Sequence, residues 1–98
     1  MNRIEALDRL RRHEAELRSM GVSTLSLFGS VARGDQRDGS DVDIAVSFDP
    51  HARVGLFRWA DIAGRLEDWL GGKVDMVSEP ARGARFQAEI ERDRVLVF

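Results

Sequence analysis

The sequence predicts an α/β (α+β) fold, a small sheet with helices packed against it. Runs of helical period, such as Ile4, Leu7, Leu10, Leu17 and Met20, alternate with short runs of period two, such as VSTLSLF, DVDIAVSF and KVDMV. Gly or Pro punctuates most of the junctions. The 98 residues allow one domain, 1–98, with a modest core.

Residues 2–19 are expected to form one amphipathic helix, ended near Gly21. VSTLSLF follows as a strand that Gly29 breaks. Ser30 to Arg33 reads as one helical turn, and residues 34–40 as a polar loop. From Asp41 to Phe48 the alternation places Val42, Ile44, Val46 and Phe48 on one face. Asp41, Asp43, Ala45 and Ser47 take the other. Leu56, Trp59, Ile62, Ala63, Leu66, Trp69 and Leu70 make a second helical stripe, stopped by Gly71 and Gly72. KVDMV is a short strand, 82–92 a helix with Phe86 and Ile90 inward, and VLVF a short edge strand.

The formal net charge of −2 argues against non-specific attraction to nucleic acid or to an anionic membrane. With no cysteine there is no disulfide, thiolate metal site or cysteine nucleophile, which suits a reducing cytoplasm. MNRIEALDRL carries no signal-like apolar core, and no apolar run approaches a membrane span.

The chemistry concentrates in FGSVARGDQRDGSDVDIAV, residues 28–46. Asp41 and Asp43 stand at i and i+2 on a strand, so their carboxylates share a face and repel unless a cation lies between them. Mg²⁺ is the natural candidate, because it takes oxygen ligands and bridges carboxylates to phosphates. Asp75 sits within another short strand, and it joins the pair if that strand lies beside the first. Three such carboxylates can hold two Mg²⁺ ions. Gly29 lets a phosphate approach the backbone, and Ser30 offers a hydroxyl and an N–H. Arg33, a turn later, either clamps a triphosphate or forms a surface ion pair with Asp35 or Asp38. Ser40, closing the polar turn, completes the candidate nucleotide-binding set.

A lone Asp-x-Asp is usually a surface pair and a lone Gly-Ser is usually a turn. Together, with several spacings allowed, they arise by chance in roughly one chain of this length in a few hundred. His13 and His51 have no second ligand at metal spacing and read as incidental. Trp59 and Trp69 read as core or interface.

Phe28-Gly29-Ser30, ten residues, then Asp41-Val42-Asp43-Ile44 resembles the signature of the DNA polymerase beta nucleotidyltransferase superfamily. The fuller GSVARG…GSDVDIAV resembles its minimal members, the MNT proteins. The resemblance implies the small mixed sheet of that superfamily's core, flanked by helices. It implies that Asp41 and Asp43 bind catalytic Mg²⁺, that Asp75 assists as base or ligand, and that Gly29 and Ser30 hold the phosphates of ATP. It also implies AMP transfer to a hydroxyl, with a tyrosine of a HEPN-domain toxin as acceptor, in a type VII-like toxin–antitoxin pair. The chain lacks the extra helical domain of larger relatives, so the acceptor is expected from a partner in a heteromer. VLVF and the Trp-bearing helix are candidate contact surfaces, or simply core. The alternative is a non-catalytic antitoxin that neutralises its partner by binding. Modification of a small molecule ranks third, and a polymerase is disfavoured by the absence of a basic face.

Overall fold

The computed structural model describes residues 1–98. The elements are α1 (Arg3–Arg11), α2 (Glu14–Ser19), β1 (Val22–Phe28), α3 (Gly29–Arg33), β2 (Val42–Phe48), α4 (Leu56–Leu70), β3 (Val74–Ser78), α5 (Ala84–Asp93) and β4 (Val95–Leu96). The sheet runs β3-β2-β1-β4. β1 pairs antiparallel with β2 and β4, and β2 pairs parallel with β3, so the sheet is mixed. The α4 crossover supplies the length that a parallel connection needs. No helix is long and apolar enough to cross a membrane.

The single helix expected over 2–19 is two helices. Asn2 caps the first, its Oδ1 accepting from the Glu5 N–H at 2.9 Å while Glu5 Oε1 accepts back from Asn2 Nδ2 at 3.1 Å. At His13 the backbone N–H bonds to Leu10 O, tightening the turn, and the imidazole stacks on Trp69 at 3.8 Å with the rings 1° from parallel. His13, read as incidental, therefore packs on the Trp-bearing helix. The break leaves both Leu10 and Leu17 fully buried.

Two apolar positions assigned to the helical stripes are exposed: Ile4 at 75% and Leu56 at 78%. Helical spacing fixes the direction a side chain faces but not whether another element covers that end of the helix. The buried stripe of α4 is Ile62, Leu66 and Leu70.

The two faces of the sheet carry different cores. Leu25, Leu27, Val42, Ile44 and Val46 join buried residues of α1, α2, α3 and α4. On the other face Phe28 and Ala45 pack with Ile90 of α5. With helices on both sides, β1 buries both its faces from Leu25 to Phe28, Ser26 included. The Ser26 hydroxyl accepts from Arg94 Nη1 at 2.9 Å, and the same nitrogen donates to Glu79 Oε1 at 2.7 Å. Gln87 Nε2 donates to Glu79 Oε2 at 2.7 Å, fastening α5 to the end of β3.

Candidate active site

The register of the sheet builds the site. Phe28 lies opposite Asp43, and Asp43 opposite Asp75, in one row across three strands. The next row on the same face, two residues along, is Ser26, Ala45 and Val77. Ile90 of α5 packs in a cluster with Ala45 and Val77 of that second row. Phe28 of the first row is buried in the same cluster, but Asp43 is half-buried and Asp75 exposed, so the two carboxylates line a cleft instead of being sealed in the core.

That cleft is a pocket of about 330 Å³ lined by Phe28, Gly29, Ser30, Arg33, Asp43 and Asp75, with Phe86, Glu89, Arg92 and Asp93 from α5. Five of the seven residues singled out in the sequence thus meet in one place. Gly29 and Ser30 open α3 directly after β1. Gly29 has φ +70°, and a Cβ on it would lie 2.1 Å from Asp43 Oδ2. Glycine is needed here both for its conformation and for its lack of a side chain.

Asp41 and Ser40 lie in an adjoining pocket of about 320 Å³ with Gly39, Val42, Gly71, Gly72 and Lys73. Ser40 Oγ accepts from the Arg37 N–H at 3.0 Å, closing the loop turn. The structure therefore separates Ser40 from Gly29 and Ser30, and it sets Asp41, which precedes β2 instead of opening it, outside the pocket that Asp43 and Asp75 line.

Burial, then the charges of Asp75 and Asp41, push the Asp43 carboxyl above its ordinary range. Asp43 thus has two acidic neighbours, yet no three acidic or histidine side chains close into a group able to hold a metal alone. The donor set fits a hard divalent ion that completes its shell with water or phosphate oxygens. It does not fit an all-protein cage.

Arg33 resolves into an ion-paired residue. Its Nε donates to Asp35 Oδ2 at 3.2 Å and its Nη1 to Asp93 Oδ2 at 2.7 Å. Asp35 was one expected partner, whereas Asp93 lies sixty positions along the chain. Phe86, expected to face inward, is 38% exposed and meets Phe28 edge-on at 5.9 Å. The sequence carries no signal for the contribution of α5 to the pocket, because Glu89, Arg92 and Asp93 belong to no motif.

A sheet that aims two carboxylates at a Gly-Ser turn defines a phosphate-handling site of the nucleotidyltransferase kind. The family model for polymerase beta nucleotidyltransferases matches residues 14–98, and the chain belongs to that family. It is a nucleotidyltransferase. It is similar to the protein adenylyltransferase MntA of Thermococcus cleftensis, 34% identical over 89 residues that cover 90% of this chain and 88% of that one. A solved structure described as a "putative minimal nucleotidyltransferase" is 35% identical, with TM-score 0.72 over 97% of this chain and 95% of that one. Two toxin–antitoxin structures share the fold. One, with AMP-PNP, has TM-score 0.70 at 21% identity over 100% of this chain and 73% of the other. One of a tri-AMPylated Shewanella oneidensis HEPN toxin with its MNT antitoxin has TM-score 0.58 at 17% identity over 89% and 70%.

Proposed function

We propose that this chain transfers AMP from ATP to a tyrosine hydroxyl of a HEPN-domain partner and thereby acts as an antitoxin. The observation that carries the reading is the row Asp43–Asp75 facing Gly29 and Ser30 across one open pocket. The names of the similar proteins support it: a protein adenylyltransferase, and an antitoxin in complex with a modified HEPN toxin.

In this reading Gly29 and Ser30 bind the triphosphate through backbone N–H groups and the serine hydroxyl, at a point where no Cβ intervenes. Asp41 and Asp43 would hold Mg²⁺, with Asp75 as a further oxygen ligand or base. When bound, Mg²⁺ would supply charge neutralisation at phosphorus. Asp75 takes the hydroxyl proton as the oxygen attacks the α-phosphorus. The bond from the α-phosphorus to its bridging oxygen breaks, and pyrophosphate leaves. The raised affinity of Asp43 for protons comes first from burial and then from the charges of Asp75 and Asp41, and a divalent ion would offset the repulsion.

The test separates catalysis from simple covering of the toxin. An Asp41→Asn, Asp43→Asn double variant is expressed with the partner in cells. The expected result is a complex that still forms but no longer protects. Full protection by the variant would replace transfer with steric neutralisation.

A further inference from the structure

Outside the Gly-Ser and Asp-x-Asp motif, α5 brings a second arginine to the pocket. Asp93 Oδ2 accepts from Arg33 Nη1 at 2.7 Å, and Asp93 Oδ1 accepts from Arg92 Nε at 3.1 Å. The Asp93 side chain is 7% exposed, while those of Arg33 and Arg92 are 43% and 67% exposed. One buried carboxylate thus holds two guanidiniums at the pocket surface. We infer that Arg92, set beside Arg33 by Asp93, is a second triphosphate-binding residue of this site, contacting the β- and γ-phosphates.

This inference rests on the nucleotidyl-transfer reading and adds a residue to it. Arg33 is shared between Asp35 and Asp93 while Arg92 has only Asp93, so Arg92 keeps more of its charge and donors available to an anion. Arg92 donates only to the neighbouring Asp93, so its Nη1 is open to a ligand. Arg33 and Arg92 both donate to the Asp93 carboxylate, at 2.7 and 3.1 Å, which places them within reach of one polyphosphate. The acids of the pocket come from both sources, Asp43 and Asp75 from the sheet and Glu89 and Asp93 from α5, but the arginines come only from α3 and α5. That division suits a metal-bound triphosphate, with the metal toward the sheet and the outer phosphates toward the helices. Glu89 draws on the Arg92 charge and tempers the expected effect. Asp93 is the positioning residue of the pair.

Titration calorimetry of the full chain with Mg²⁺ and inorganic tripolyphosphate, ATP or AMP tests this without requiring turnover. Arg92→Gln is expected to weaken tripolyphosphate and ATP by about tenfold in Kd, leaving AMP and the melting temperature unchanged. Arg92→Lys is expected to recover part of the loss, since it keeps the charge but not the fork. Wild-type affinity in Arg92→Gln, with a loss in Asp43→Asn, would overturn the Arg92 role and leave the transfer reading standing. Equal losses for AMP and tripolyphosphate with a lowered melt would make Arg92 structural and overturn its role. No binding of any of these ligands by the wild type would overturn both.

Discussion

Asp43 Oδ2 occupies the space beside Gly29, 2.1 Å from where a Cβ would stand, so the turn that opens α3 and the strand that carries Asp43 fit together only with glycine. The left-handed φ of +70° at Gly29 adds a backbone penalty of about 1 kcal/mol for any other residue. Gly29→Ala is therefore expected to displace the Asp43 carboxylate as well as strain the turn. The expected outcome is a loss of about a hundredfold in transfer rate, with only a modest fall in melting temperature. Steady-state kinetics beside a thermal melt check it.

Asp43 also carries a stability cost. Its carboxyl is raised above the ordinary value of 3.8 by burial and then by Asp75 and Asp41. The folded state binds the proton more tightly than the unfolded state, so this group's contribution to stability falls as pH rises from 3.8 through the raised value. Asp43→Asn is expected to be more stable than wild type at neutral pH, the gain shrinking as acid is added. Its transfer rate is expected to drop by about a thousandfold. Urea unfolding at several pH values measures the first, and rates at saturating ATP the second.

The Glu79–Arg94 pair ties β3, α5 and the buried Ser26 together. Arg94 first, and Gln87 less strongly, hold the Glu79 carboxyl below its ordinary 4.5. Its stabilisation is present above that value and is lost as pH falls through the lowered one. Arg94→Met strands a carboxylate that is 9% exposed and is expected to cost about 3 kcal/mol. Adding Glu79→Gln is expected to recover much of that cost in a double-mutant cycle of urea unfolding.

His13 stacks face to face on Trp69 where α1 gives way to α2. His13→Ala is expected to lower stability by about 1 kcal/mol. The change in Trp69 surroundings is expected to alter tryptophan emission, read on the folded variant.

Period-two patterning is enough to find β1, β2 and β3, but it places Asp41 on the strand with Asp43, whereas β2 begins at Val42 and Asp41 lines the adjoining pocket. The pattern could not show that β3 lies parallel beside β2, and only that pairing sets Asp75 against Asp43. The motif drew attention to Gly29, Ser30 and Arg33, which β1 and α3 bring to the pocket. Ser40 was grouped with them by nearness in sequence, but the loop turns it into the adjoining pocket. Arg92 and Asp93 escaped notice because a charged helix end has no signal of its own. Their role emerges only when α5 crosses back to Arg33. The break at His13 was illegible for a similar reason: it depends on Trp69, which is distant in sequence.

The most direct measurement is the intact mass of the HEPN partner after co-expression with this chain, or after mixing with ATP and Mg²⁺. The Asp41→Asn, Asp43→Asn variant serves as control. The account predicts one or more added AMP masses that the variant fails to add. An unchanged partner mass, with the two proteins still in a stable complex, would contradict it.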